Sequence, residues 1–492
     1  PALIDAPGDG DLCAFAAGWH RGREALPSLR LANLVALRHP LSVDTYVERT
    51  LSGAKGILIR LIGGESYWPY GLAQVQDLAR RNGIALAVLP ADGREDARLD
   101  ALSTLPVSTL RRLQTLCDAG GAVAAQAALQ QLSLAAGLYA GPVAGEKTVP
   151  AFGWYLPGRG VVPAPEPGAR PLAVVTFYRS YLTAADTDPV DGLIGALEAR
   201  GFAAVGAFAA SLKDAAAADW LRTDLARLTP AAIVNATAFS AKGSDGAPSP
   251  LDVPGCPVFQ VALSTARRTD WAASDRGLSP ADLAMHVVLP EVDGRVFAGV
   301  ASFKSPGRRD PDLQYARFAH RADPGRIAAI ADRVAGWHRL AATPAETRNV
   351  ALILSTYPGK GWQLAHAVGL DALASAGAIC GLVGAEGAGD GLGPALSAET
   401  LDWPVSAYRD TISSLPEPLR DALFAAWGEP EADPAVQGGH FRFHALLRGR
   451  VIVALQPFPT LLGRNVAQAA YLFAPMLLVP AFRNLVEYHA EL

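Results

Sequence analysis

The residues with the strongest claim to chemistry stand in a few short runs. In Asp186-x-Asp188-x-x-Asp191, three carboxylates are spaced so that they could hold a divalent cation. The same spacing also suits a helix start. Thr187 or Asp188 would cap a helix opening at Pro189, with Asp191 in its first turn against the positive end of the dipole. The capping reading is favoured, because acids recur in the first turn of many helices. Glu291-Val292-Asp293-Gly294-Arg295 follows the apolar Val287-Val288-Leu289-Pro290, and Asp-Gly between apolar runs signals a hairpin turn. The run YPGKGW at 357–362 is a Gly/Lys turn after a strand, read as a surface turn ahead of an anion cradle. Neither G-x-x-x-x-G-K-S/T nor G-x-G-x-x-G occurs, so nucleotide hydrolysis is not expected of this chain.

Histidines and arginines are numerous enough to matter but poorly ordered. The nine His are scattered, no H-E-x-x-H occurs, and His440 and His444 flank a strand-like Phe-Arg-Phe. His286 and His366 lie near candidate strand ends, where a hydrogen-bonded structural role is the preferred reading. Arg179, Arg267, Arg268, Arg276, Lys304, Arg308 and Arg309 follow strand-like runs, an arrangement that suits a ligand with several acid groups. Most of them read as solvated surface charge.

The elements that must position these residues follow from apolar patterning. Short continuous runs at 31–37, 54–62, 84–89, 171–177, 203–208, 232–235, 258–263 and 349–355 alternate with helical patterns at 43–51, 70–81, 110–134 and 189–200. Runs of this kind are parallel strands covered on both faces, so the fold class is α/β, with several doubly wound, mostly parallel Rossmann- or flavodoxin-like modules. The chain's 492 residues suggest about three domains. A first α/β module is read at 1–156, a second at 171–340 and a third at 348–492. Residues 156–171 carry Pro and Gly too densely for regular structure.

Charge and cysteine usage exclude several classes. A formal charge of −4 argues against nucleic acid or an anionic membrane as partner. The longest nearly unbroken apolar stretch, 14 residues at 469–482, contains two Pro and falls short of the roughly 20 needed to span a membrane. The N-terminus has no signal-peptide pattern. Cys13, Cys117, Cys256 and Cys380 are widely separated, which fits a reducing cytoplasm and neither a disulfide scaffold nor a common zinc site.

Several long motifs resemble one family. They are the stretch 257–296, the stretch 175–196 with its F-Y-R and D-T-x-P-x-D elements, the stretch 349–375, and LSGAKGILIRLIGGESYWPYGLAQVQDL at 51–78. Together they are similar to the large subunit of aerobic cobaltochelatase (CobN type), a family that also includes the porphyrin-binding H-type component of magnesium chelatase, over about 31–457. The resemblance implies a tetrapyrrole-binding subunit that inserts Co²⁺ into hydrogenobyrinic acid a,c-diamide in aerobic cobalamin biosynthesis. ATP and Mg²⁺ would be used by separate AAA+ motor subunits of CobS and CobT type, which agrees with the missing phosphate-binding loop. It further implies ligand-binding roles for Tyr178, Arg179, Asp186 and Thr187, for His286, Glu291 and Asp293, and for Gly369, Leu370 and Asp371, with no catalytic base or metal ligand assigned. Family members are longer and carry a His-rich V-G-K-H-G-N-type element not found here, so 348–492 reads as a fragment of a larger domain. Alternatives are a non-catalytic corrinoid-binding paralogue, a magnesium chelatase H-type component, and an unrelated binder of small acidic metabolites.

Overall fold

The computed structural model describes residues 2–5, 9–91, 95–145, 147–242, 248–275, 277–354, 370–385, 391–433 and 436–455. They divide into two units, 1–335 and 336–492. The apolar runs become strands, as their composition dictates. The first sheet holds β1 (Ala2–Asp5), β2 (Leu31–Asn33), β3 (Gly56–Leu61) and β4 (Ala85–Pro90), all parallel in the order β2-β1-β3-β4. Every residue of β3 and β4 is buried, the signature of a strand covered on both faces. The helix Pro69–Asn82 between them ends at Gly83, whose φ of 63° is open to glycine at little cost.

Where one helix was expected over 110–134 there are two, Val107–Ala119 and Gly121–Ala135. The break falls at Gly120 and Gly121, both with positive φ. The second helix packs on the helix Asp9–Arg21 around Leu12, Phe15, Ala128, Leu129 and Leu132. Their approach is close: a Cβ on Gly18 would stand 2.6 Å from Gln126 N and 2.8 Å from Ala122 O. Backbone atoms cannot swing aside, so Gly18→Ala is expected to cost about 1–3 kcal/mol, read as a lower urea midpoint with unchanged slope.

The second sheet has eight strands: β5 (Phe152–Leu156), β6 (Gly160–Val162), β7 (Leu172–Tyr178), β8 (Ala203–Ala209), β9 (Ala232–Asn235), β10 (Val258–Ser264), β11 (Val296–Asp310) and β12 (Tyr315–Ala322). Its centre is parallel, in the order β8-β7-β9-β10-β11, with β12 antiparallel at one edge and the β5–β6 hairpin at the other. Strand β6 lies inside the Pro- and Gly-rich stretch expected to lack structure. An edge strand needs only one bonded flank, and the short Gly160–Val162 segment fits between the prolines. A second expectation also fails. Residues 287–289 are helical, within the π turn Ala284–Val288 and the helix Leu289–Glu291, and Gly294 (φ 75°) leads directly into β11. Asp293-Gly294 therefore ends a helix and closes no hairpin.

The third sheet lies in 336–492 and comprises β13 (Val350–Leu354), β14 (Thr400–Pro404), β15 (Val436–Gln437), β16 (His440–Arg448) and β17 (Val451–Leu455). Only β13 and β17 pair in parallel, and the other pairings are antiparallel. The α/β class holds for the chain, carried by the first two sheets.

Candidate functional site

In the second sheet the chain leaves β7 toward β8 on one side and returns to β9 on the other, so the strand order reverses between β7 and β9. Such a switch point splays the loops beyond the strands' carboxyl ends and opens a crevice there. A cleft of about 260 Å³ occupies that place. It is lined by Tyr178 at the end of β7, residues 211–213 after β8 and residues 237–241 after β9. Hydroxyls, main-chain groups and the Lys213 ammonium make it suited to a carboxylate arm of a ligand.

A buried polar ladder holds the cleft's floor. Thr176 Oγ1 donates to Asn235 Oδ1 (2.6 Å), and Asn235 Nδ2 donates to Gln260 Oε1 (2.7 Å). Gln260 Nε2 donates to Thr237 O (2.8 Å), and Thr237 Oγ1 returns to Asn235 Oδ1 (2.8 Å). All four residues are buried, so the ladder ties β7, β9 and β10 to the loop that lines the cleft. That loop carries Phe239 at φ 66°, with its ring half exposed and its N–H donated to Met285 O at 2.8 Å. A bulky residue in left-handed backbone is a strain that the surroundings must enforce.

The residues singled out from the sequence fall into several groups. Tyr178 lies at the cleft, and its hydroxyl donates to Ala238 O (2.7 Å) and accepts from Ala238 N (3.2 Å); burial raises its phenol above the usual range. Arg179 turns its guanidinium onto the carbonyls of Pro150 (2.9 Å) and Val149 (2.8 Å), so it fixes the chain ahead of β5. The three acids of the 186–191 run have separate partners. Asp186 accepts from His320 Nδ1 (2.8 Å) and His320 N, Asp188 accepts from Ala322 N (2.8 Å), and Asp191 accepts from the Tyr155 hydroxyl (2.7 Å). Burial raises the Asp191 carboxyl, opposed by its hydrogen bonds from Tyr155 and Thr187. The expected cap differs in detail: the helix is Asp188–Glu198, and Thr187 occupies the cap position with no side-chain cap bond, its hydroxyl donated to Asp191 Oδ2 (3.2 Å).

His286 is buried within the π turn. Burial lowers its pKa first, the nearby Asp282 opposes this, and His320 adds to the lowering. Asp293 accepts from Ser240 Oγ (2.6 Å) and Ala241 N (2.6 Å), which anchors the cleft loop from beneath. Glu291 is exposed at a helix end. In the other unit, Leu370 is exposed and Asp371 caps the helix Ala372–Leu382 through Ala374 N (2.9 Å). Gly369, His366, Arg276, the 357–362 turn and the 469–482 stretch lie outside the described residues.

Of the basic set, Arg268 pairs with Asp323 (2.7 Å) and Lys304 lies over the Phe318 ring (5.1 Å), so those two have partners within the protein. Sequence reasoning missed Thr176, Asn235, Thr237, Gln260, Asp282 and His320. The first, second and fourth had a signal, a polar residue inside an otherwise apolar strand: LAVVTFY, AIVN, VFQVALS. Among the described residues no group of three or more His, Cys, Asp or Glu could hold a metal, and no helix is long and apolar enough to cross a membrane.

A five-stranded parallel core of this order, open at its switch point, defines an α/β module of the flavodoxin-like kind. The family described as CobN/Magnesium Chelatase matches residues 146–480, and the chain belongs to that family. The match continues past Pro457, where the resemblance in the sequence was expected to stop. The aerobic cobaltochelatase subunit CobN of Sinorhizobium sp is 35% identical over 97% of this chain and 40% of its own length. Its Pseudomonas aeruginosa counterpart is 32% identical over the same shares, 97% and 40%. The H-type magnesium-chelatase component of Cereibacter sphaeroides is 34% identical over 27% of this chain and 12% of its own. The catalytic subunit of cobaltochelatase from Mycobacterium tuberculosis has the same fold, with a TM-score of 0.73 at 23% identity over 98% of this chain and 42% of that one. The chain thus spans about two-fifths of the length of the CobN relatives it matches.

Proposed function

We propose that this chain is the tetrapyrrole-binding part of a cobaltochelatase large subunit, acting in the cytoplasm on hydrogenobyrinic acid a,c-diamide with Co²⁺ as the second substrate. ATP and Mg²⁺ are used by partner AAA+ subunits of CobS and CobT type. The observation that carries this reading is an amphiphilic site. The polar cleft at the switch point adjoins the exposed Phe239 and, through the Phe239–Met285 bond, a helical segment whose Leu283, Val288, Leu289 and Val292 are also exposed. A macrocycle with apolar faces and a rim of carboxylates asks for that pairing, and exposed apolar surface of this kind marks an interaction site. A cleft of about 260 Å³ is too small for a whole macrocycle, so on this reading it takes one acid arm and the ring rests on the apolar rim. Membership of the CobN/Magnesium Chelatase family supports the same reading.

Insertion requires the cation to shed water, a ring N–H to lose its proton and the macrocycle to bend, which calls for a dry clamp and a proton acceptor. The expected result is saturable quenching of the nine Trp by hydrogenobyrinic acid a,c-diamide at micromolar concentration or below. No binding in that range rejects the reading. Adding Co²⁺, ATP and the motor subunits then separates a chelatase, which yields metallated product, from a corrinoid carrier, which binds and yields none.

A further inference from the structure

Near the cleft two buried imidazoles, His320 and His286, each keep a ring nitrogen that no ligand role yet explains. His320 is on β12, and its backbone N–H and Nδ1 both meet the Asp186 carboxylate, at 3.1 Å and 2.8 Å. A carboxylate only accepts, so Nδ1 carries the proton and Nε2 of the neutral ring holds a lone pair. That Nε2 is buried and has no protein partner, and the same is true of His286 Nδ1. Both residues are more than nine-tenths buried, with 7% of His320 and 5% of His286 exposed. Unpartnered buried polar atoms are costly, and natural structures keep few of them without a purpose.

Two further features show that the arrangement is enforced. Asp186 is aimed by Ala185, a non-glycine at φ 52° whose carbonyl is gripped by Arg317 Nη2. His286 stands in a π turn, a geometry often kept at functional sites. The groups facing the pair are Asp186, Tyr181 (ring 5.4 Å from His320, edge-on), Asp282 and, opposite His320 across the β11–β12 register, Lys304. Asp282 accepts from Ser264 Oγ, Thr265 N and Thr265 Oγ1. Lys304 is turned onto Phe318. The π turn borders the cleft, since Met285 O receives the N–H of Phe239.

We propose that His320 Nε2 and His286 Nδ1 form a buried proton-receiving pair beside the switch-point cleft, which takes the proton set free when a ring N–H of the macrocycle gives way to the metal. The identity of the donor rests on the function proposed above. In that step the N–H bond breaks, its electron pair stays on the ring nitrogen and binds the cation, and the proton ends on an imidazole nitrogen. The imidazolium so formed at His320 is stabilised by Asp186. If the two rings are coupled, they accept one charge between them readily and a second only with difficulty.

The experiment uses the whole chain with ¹⁵N-labelled histidine. His286→Gln removes the acceptor at the Nδ1 position, and His320→Asn keeps a donor to Asp186 while removing Nε2. At about pH 8, where an ordinary His is neutral, wild-type spectra should show His320 protonated at Nδ1 only and His286 bare at Nδ1. In His320→Asn, His286 should take up its proton at higher pH, because the neighbour that disfavours its charge is gone. A proton on His286 Nδ1 or on His320 Nε2 at that pH, or a His286 titration unmoved by the variant, overturns the pair. The wild-type spectrum decides even if a variant fails to fold. In the assembled chelatase with Co²⁺ and ATP, His320→Asn should slow metallation by about 10²-fold or more and flatten its pH profile, with ring affinity kept within about twofold. An unchanged rate and profile remove the pair from the reaction. If the wild-type chain ignores the ring, the reading of function fails and the ring is overturned as proton source, while the spectra still decide whether the two nitrogens are acceptors.

Discussion

Asn235→Ala will lower the unfolding free energy of this chain by about 3 kcal/mol and loosen the cleft loop. The Asn235 amide makes four bonds: Oδ1 accepts from Thr176 Oγ1, Thr237 Oγ1 and Thr237 N, and Nδ2 donates to Gln260 Oε1. Truncation strands groups on three buried residues, Thr176, Thr237 and Gln260, in a layer that water does not reach. Each stranded group costs about 1–3 kcal/mol on its own, and the sum is reduced because Gln260 keeps its bond to Thr237 O. Asn235→Asp is a sharper test, because it keeps the acceptors but places a charge against Gln260 Oε1 in a site that is 2% exposed. Urea denaturation measures the first effect. Ring titration by Trp quenching measures the second, since residues 237–241 line the cleft and depend on this ladder. A midpoint change worth less than about 0.5 kcal/mol would show that the ladder contributes nothing to stability.

The sequence made some of this legible and hid the rest for physical reasons. Strands β7, β8, β9 and β10 could be read because burial on both faces leaves a continuous apolar run with no competing helical period. Their order could not, because it depends on which side each crossover takes, and the cleft exists only because the order reverses between β7 and β9. Asp186 was noticed among its neighbours in sequence, as a cation ligand or a residue beside a helix cap. Its partner is His320, 134 residues away, and no local pattern encodes that pairing. Arg179 read as a grip for a ligand acid because a guanidinium fits a carboxylate, but two main-chain carbonyls fit the same donors and are nearer. Asp293-Gly294 read as a hairpin turn because apolar runs flank it, but the run before it is helical, and a local pattern does not separate a short apolar helix from a strand.

Strain and burial converge on one side of the second sheet. Of the four non-glycine residues with positive φ among the described residues, Phe239 lines the cleft and Ala185 precedes Asp186. Each such conformation costs of order 1 kcal/mol or more, and it persists where packing over-determines it. The ladder through Asn235 fixes the first and the bond from Arg317 fixes the second, so the polar network and the backbone strain are two parts of one construction. Its stability is spent on holding a loop and a carboxylate in place, as expected of a site that is formed before its ligand arrives.

Asp186→Ala will cost about 3 kcal/mol, because it leaves the His320 N–H and Nδ1–H without an acceptor in a site where only 7% of His320 is exposed. Asp186→Asn separates that structural loss from the chemistry. The amide oxygen can still accept the backbone N–H, while its NH₂ group, facing Nδ1, demands a lone pair there and moves the ring proton to Nε2. The Asn variant should therefore lose only about 1 kcal/mol, yet invert the His320 tautomer, which exchanges the ¹⁵N shifts of the two ring nitrogens. A ring inverted in this way presents a donor where the wild type presents an acceptor. If the carboxylate sets the tautomer, metallation by the assembled complex should fall by about 10²–10⁴-fold while ring binding is retained. Were the tautomer to survive the exchange, the Asp186 carboxylate would be holding β12 in place through the backbone N–H alone, and the strain at Ala185 would serve the edge of the sheet and not the imidazole.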